Sequence, residues 1–282
     1  MRVLLLGSTG RVGARLLPAL LAHGHTVVVY MRNADRLPKE YLRRGTTVVE
    51  GCATNTAAIK SAILRNECGA VVNTAGRASI LGTNRNFADI FTAVTSAAVE
   101  VQQERRSPLR CWLLSGWPIL DNPKTGLPLL TYLRTHSTHR INYDRIRHIS
   151  TSQAAWSLFC ASNMLPRTAS INIAPKPGIA MHSLESVADQ PPQWTDSLFH
   201  LPLIGPHLNV AAQIQSYFSP LEDCMDFIAE DLKEGLNSQW IGQRVGVKAK
   251  EEWDVGPWSW MNSLSDGTTW GGAVWKGVGN ER

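Results

Sequence analysis

Gly7, Gly10 and Gly13 are spaced G-x-x-G-x-x-G in the segment GSTGRVG. The apolar run Val3 to Leu6 precedes them, and Leu16, Leu17, Leu20 and Leu21 follow at helical spacing. Glycines in that order suit the binding of a pyrophosphate. The first permits a tight turn, the second lets the backbone approach the phosphates, and the third lets helix and strand pack closely. Backbone N–H groups and the positive end of the helix dipole then face the anion. Thr9, Arg11 and Val12 lie in the same turn and complete this candidate contact set. The alternative is an ordinary strand-to-helix turn, and the flanking buried strand and amphipathic helix argue against it.

A second group of residues could move protons. Ser115 follows the apolar run Leu109 to Leu114, and ligands of open α/β sheets bind outside the carboxyl ends of the strands. A turn or cap serine is the equal alternative there. His136 and His139 titrate near neutrality and could act as acid or base. His139 and Tyr143 are four residues apart and share a helix face. Arg147, four residues beyond Tyr143, could hold a ribose and bias the phenol toward phenolate, but it stays charged and cannot relay a proton. A polar helix surface with incidental histidines is the plainer alternative. Ser115, Tyr143 and His139 are therefore the catalytic candidates. Trp117, expected to be exposed to the crevice, His136 and Asn163 are the candidate substrate contacts.

The elements that must position these residues read as alternating strands and helices. Val3–Leu6, Thr26–Tyr30, Thr46–Glu50, Ala70–Asn73, Leu109–Leu114 and Trp156–Cys160 are apolar or β-branched runs, as expected of parallel strands buried on both faces. Between them the pattern predicts helices after Arg11, over Ala34–Arg44, after a capping Asn55, and from Phe87 through Ile90, Phe91, Val94, Ala98 and Val101. Residues 77–86 read as a polar loop. Ser219-Pro220-Leu221-Glu222 reads as a helix start, with Ser219 as cap, Pro220 in the first turn and Glu222 closing a capping box. Leu221, Cys224, Ile228 and Leu232 would face inward. The fold class is α/β, a doubly wound (Rossmann-type) parallel sheet with a small C-terminal substrate lobe. Residues 1–165 form the dinucleotide-binding part, 166–250 the lobe with returning sheet and helix elements, and 251–282 a tail. That tail holds Trp253, Trp258, Trp260, Trp270 and Trp275 among Gly, Ser and Thr, with no clean period.

The second strand bears on the cofactor. An acid at its end would bind the ribose 2′-hydroxyl of NAD and repel a 2′-phosphate. Here the strand ends Tyr30-Met31-Arg32-Asn33. Arg32, with Arg11 as a second candidate, can make bidentate contacts to a phosphate, which favours NADP(H); two solvated arginines are the alternative.

The form G-S-T-G-R-V-G, with V-N-T-A-G at residues 72–76, resembles the atypical and extended short-chain dehydrogenases, in particular the NmrA-like group. The resemblance is firm over residues 1–120, fair to about 235 and absent beyond. It implies that Asn73, Ala75 and Gly76 lie along the cofactor, that Ser115 is a catalytic or substrate-orienting serine, and that Asp223 packs the C-terminal part against the sheet. It also implies a Tyr-x-x-x-Lys pair, in which Tyr exchanges a proton while Lys holds the ribose and lowers the Tyr pKa. The chain departs from that pattern: Tyr143 is followed by Arg147 and Tyr132 by His136. It departs again at Cys52, where relatives carry an Asp near the adenine, and at Ser162-Asn163-Met164-Leu165-Pro166, where they carry Arg-Pro-Gly.

Composition excludes other classes. The 282 residues are 44% hydrophobic, with a net charge of +5 whose basic residues are scattered rather than gathered on one face, so no nucleic-acid partner is expected. No apolar stretch is long enough for a membrane span, and no signal-peptide anatomy precedes the glycine turn. Five cysteines without a C-x-x-C pair suggest reduced thiols in a cytoplasmic protein and no metal site. Cys52, Cys111, Cys160 and Cys224 are expected in the core. Two functions remain. One is an NADP(H)-dependent oxidoreductase on a small organic substrate, with secondary metabolism as one setting, or an isomerase or cyclase that kept the fold. The other is a catalytically silent NmrA-like regulator that senses dinucleotide and acts through a protein partner.

Overall fold

The computed structural model describes residues 1–76, 84–133, 137–168, 170, 171, 173–214 and 217–251. In chain order, β1 (Arg2–Leu6), α1 (Gly13–Ala22) and β2 (Thr26–Met31) form the opening βαβ unit. Then come α2 (Lys39–Arg43), β3 (Thr47–Glu50), α3 (Thr56–Arg65), β4 (Ala70–Asn73), α4 (Arg85–Arg105) and β5 (Arg110–Gly116). The chain continues through α5 (Leu130–Leu133), α6 (Thr138–Ile146), β6 (Ala155–Ala161), β7 (Asn163–Leu165), α7 (Ile179–Ser183) and β8 (Leu184–Ala188). It closes with α8 (Gly205–Ile214), β9 (Phe218–Pro220), α9 (Leu221–Asp231) and β10 (Arg244–Ala249).

The eight-stranded sheet runs β3-β2-β1-β4-β5-β6-β10-β8. Every pairing is parallel except the edge, where β8 lies antiparallel to β10. Strand order reverses between β1 and β4, which opens a crevice at the carboxyl ends of those two strands. Successive side chains of a strand point to opposite faces, so β1 feeds two cores. Leu4 and Leu6 pack with residues of α3 and α4, among them Ile59, Ile63, Phe91 and Val94. Val3 and Leu5 pack with residues of α1 and α9, among them Leu16, Leu20, Cys224 and Ile228. Leu221, Cys224, Ile228 and Leu232 are fully buried, as their spacing predicts. A separate parallel pair, β7–β9, carries the chain past the end of the sheet.

Three local expectations are corrected. Residues 34–44 do not form one helix: a 3-10 turn covers Ala34–Arg36 and α2 begins only at Lys39. Pro38 disfavours helix at the preceding residue and lacks a donor N–H. Ser219 does not cap α9, because Phe218–Pro220 is strand and Ser219 Oγ donates to the Val247 carbonyl; Glu222 is drawn away to Arg15 at 2.9 Å. Cys52 is exposed, while Cys68, Cys111, Cys160 and Cys224 are buried, and all five are free thiols. Burial pushes Cys111 up to about 12. Of the loop expected at 77–86, residues 77–83 lie outside the described residues, as do the Trp-rich tail from 252 on and His136. No helix among the described residues is long and apolar enough to cross a membrane.

Candidate functional site

The glycine turn takes the form its spacing requires. Gly7 has φ +84°, a left-handed conformation that penalises any side chain, and a Cβ there would sit 2.6 Å from the Ala75 nitrogen. A Cβ on Gly13 would collide with the Gly7 carbonyl and lie 2.6 Å from Thr74 Oγ1. Gly10 is different: a Cβ there would meet only the Gly7 carbonyl oxygen, at 3.2 Å. Gly7 and Gly13 thus serve packing, while Gly10 keeps the backbone bare toward the crevice. Among the described residues no side chain caps α1, and its first turn holds no acid, which suits an external anion at the helix N-terminus.

The crevice consists of two cavities joined at Thr74, Ala75 and Gly76, which line both. The outer one, about 620 Å³, runs from Gly7, Ser8, Thr9 and Gly10 to Arg32, Asn33 and Arg36. The inner one, about 230 Å³, is walled by Val12, Phe87, Leu114, Trp117 and Met164, with Ser115, His139 and Ser162 as its polar groups. Ser8 Oγ, Ser162 Oγ and the Trp117 indole N–H are buried there with no hydrogen-bond partner among the described residues. Orphaned polar atoms along a groove suit an external partner. With the bare Gly10 backbone and the open helix end, they fit a dinucleotide laid from Arg32 to Ser115.

His139 reaches the inner cavity because α4 and α6 begin together. Asn84 caps α4 through Phe87 N–H, and its own N–H donates to Thr138 Oγ1 at 2.6 Å. Ser137 caps α6. Phe87 meets the His139 imidazole edge-on, with ring centroids 5.6 Å apart. On the other side Gly116 gives it room: a Cβ at Gly116 would lie 2.9 Å from His139 Nε2. His139 Nδ1 is 3.4 Å from Ser115 Oγ. Burial pushes the imidazole down to about 4, so it is neutral at neutral pH and serves as a hydrogen-bonding group rather than a standing acid. That revises the expectation of a histidine titrating near neutrality.

Several expected contacts lie elsewhere. Tyr143 lines neither cavity; its ring packs 4.6 Å from the Arg244 guanidinium carbon. Desolvation raises its pKa, with Asp189 and Asp121 adding to the rise against Arg244 and Arg147, so it is not poised as a phenolate. Arg147 is exposed and lies 3.5 Å from Asp144. Arg11 donates to the Met164 carbonyl at 2.6 Å, away from the ribose end of the outer cavity. Asn73 accepts from the Ala75 N–H at 3.0 Å, so it shapes the turn rather than lining the groove. Asn163 is buried, and its neighbours Ser162 and Met164 face the inner cavity in its place. Trp117 does line that cavity but is buried, stacked on Tyr217 with centroids 5.5 Å apart. Asp223 receives both nitrogens of the Arg167 fork, at 2.9 and 2.6 Å. Sequence reasoning missed Arg36, Ser8 and Phe87. Arg36 had one available signal, a second basic residue four positions beyond Arg32 in the loop leaving β2.

Comparison with known proteins agrees with the turn. Residues 7–107 match the model of a family described as NAD(P)H-binding. The search of curated proteins returned no match. Among solved structures the chain is similar to a Rossmann-fold NAD(P)-binding family protein from Shigella flexneri, with TM-score 0.54, 14% identity, and 91% of this chain and 97% of that one covered. It is also similar to the oxidoreductase ylbE from Lactococcus lactis, with TM-score 0.55, 12% identity and coverage of 89% and 92%. ChuY, an anaerobillin reductase from Escherichia coli O157:H7, gives TM-score 0.54, 17% identity and coverage of 91% and 100%. These likenesses establish the fold.

Proposed function

We propose that this chain is an NADP(H)-dependent reductase of a small, largely apolar substrate with an oxygen-bearing acceptor group. One observation carries the reading: Ser115 and His139 face a small apolar cavity that continues, through Thr74–Gly76, from the cavity of the glycine turn. Both the NAD(P)H-binding family match and the fold shared with ChuY support it.

Each part of the groove then has a task. The turn at Gly7–Gly13 and the N-terminus of α1 would hold the pyrophosphate, with Ser8 and Thr9 in the same turn. Arg32 and Arg36 flank the far end, where no acid ends β2, and would pair with a 2′-phosphate. The bound dinucleotide supplies hydride. Phe87, Leu114, Trp117 and Met164 give the inner cavity its apolar wall. Ser115 donates a hydrogen bond to the acceptor oxygen as it gains negative charge, and the reduced oxygen then takes its proton from solvent. His139 is the positioning residue: with the proton on Nδ1 it donates to Ser115 Oγ and leaves the serine proton aimed at the substrate. A neutral imidazole suits that task, since it orients the hydroxyl without holding a buried charge.

A second reading, a dinucleotide-sensing regulator, is favoured by the departure at Tyr143 and Arg147. Fluorescence titration with NADPH and NADH, followed by NADPH oxidation with quinone, ketone and enone acceptors, separates the two. The reductase reading requires NADPH-selective binding and turnover with at least one acceptor. Tight binding with no turnover across the panel would shift the reading to the regulator. No binding of either nucleotide would reject both.

A further inference from the structure

A third cavity, of about 670 Å³, shares none of its described lining residues with the other two. It lies between α9, the 3-10 turn Gly235–Asn237, α7 and β8, with Lys250 just past the end of β10. Its volume is that of a small-molecule site, and its lining has two chemistries.

The first is aromatic. Phe227 and Trp240 are both half-buried, with ring centroids 5.7 Å apart and planes tilted by 51°, and both line the cavity. The second is anionic, and its charges differ in how far they are already used. Asp226 accepts from His23, Gly178 N–H and Ala180 N–H. Asp231 accepts from Arg110, Trp112 and Ser238. Those two carboxylates belong to the fold. Glu230 is also in use, between His23 Nδ1 at 2.8 Å and Lys233 at 2.7 Å, which leaves Glu185 and Glu234 around the opening. Glu185 accepts from the Gln193 amide at 2.9 Å. Lys233 is held by Glu230, and Lys250 lines the cavity with its ammonium donating to the Met181 carbonyl at 2.8 Å.

Different ligands would use this wall differently. A neutral apolar ligand would cover the rings and strip water from the carboxylates without compensation, which costs free energy. An inorganic cation would meet the carboxylates and leave the rings idle. An organic ammonium satisfies both, because its charge is attracted to aromatic faces and to carboxylates while its hydrocarbon body covers the rings. We propose that this cavity binds a small organic cation, an ammonium group on a short apolar body, separately from the dinucleotide groove.

Isothermal titration calorimetry of the full chain at low ionic strength tests it, with 2-phenylethylammonium as the probe and 2-phenylethanol as its neutral counterpart. The proposal expects one saturating site for the ammonium, at least tenfold weaker binding of the alcohol, and at least tenfold loss in the double variant Glu185→Gln, Glu234→Gln. Both positions are at the cavity surface and outside the groove, so the variant should keep its circular dichroism and its nucleotide titration. Absence of saturable binding, equal affinity for the alcohol, or unchanged affinity in the double variant would each overturn the proposal. None of these readouts depends on whether the groove proves to belong to a reductase.

Discussion

Burial holds the His139 imidazole down at about 4 while leaving it 3.4 Å from Ser115 Oγ, and that has a consequence for stability. In the unfolded chain His139 takes up a proton near its ordinary pKa of about 6.5; in the folded chain it does so only near about 4. Between those values the unfolded state binds more protons, so stability rises with pH across the window and is lost as pH falls through it, by on the order of 3 kcal/mol in all. Urea unfolding of His139→Gln should show a shallower rise from pH 4 to 6.5 than the parent; identical slopes would mean that other groups set the trend. Ser115 carries a separate prediction. Ser115→Ala should lower kcat by about 10²- to 10³-fold, the loss typical of one oxyanion donor, and leave NADPH affinity within about twofold; a loss confined to KM would assign Ser115 to substrate binding alone. Ser115 and His139 were legible in the sequence because a strand end and a helix face place them directly. Tyr143 was not, because helical spacing sets its face relative to His139 within α6, whereas its actual neighbour, Arg244, arrives from a strand about a hundred residues downstream. Arg11 likewise found a carbonyl on β7 that no local pattern announces.

Among elements, the turn between β1 and α1 was the most readable, since a continuous apolar strand, three glycines and an amphipathic helix all agree. Its glycines should nevertheless separate by experiment. Gly13→Ala places a methyl group against the Gly7 carbonyl and Thr74 Oγ1, so it should destabilise the fold by about 1–3 kcal/mol, the usual cost of overpacking, as read by the urea midpoint. Gly10→Ala meets only one oxygen at 3.2 Å; it should leave the midpoint nearly in place yet weaken NADPH binding at least tenfold, because the methyl occupies the phosphate approach. Equal destabilisation by both would remove the distinction between packing and approach. Gly116→Ala extends the same logic to the inner cavity. Its methyl would press on His139 Nε2 at 2.9 Å, so turnover should fall more than nucleotide affinity. Element boundaries were less legible where two local signals compete. Pro38 divides the segment expected as one helix, and Ser219 satisfies its hydroxyl on β10 rather than capping α9.

Across the whole molecule, what the sequence hides is how distant segments are tied. That β8 pairs antiparallel with β10, and that β7 pairs with β9, depends on strands more than fifty residues apart, for which no periodicity speaks. The tie of most consequence is Arg15 to Glu222, 2.9 Å between α1 and α9 with both side chains almost fully buried. Arg15 also donates to the Thr168 carbonyl, and Glu222 also accepts from the Arg167 N–H, so the pair fixes the segment leaving β7 beside the glycine turn. A buried ion pair of this kind adds little by existing but costs much when halved, because the surviving charge stays buried without its partner. Glu222→Ala should therefore lose about 3–5 kcal/mol, with an unpaired Arg167 N–H adding to the deficit. Replacing both charges, as in Arg15→Met with Glu222→Leu, should recover a large part of that loss, since apolar groups of similar volume can stand in for the pair. Urea unfolding of the two variants side by side decides the matter. If the double variant is as unstable as the single one, the cost comes from the backbone contacts of residues 167 and 168, and the ion pair is incidental to how α1 and α9 hold together.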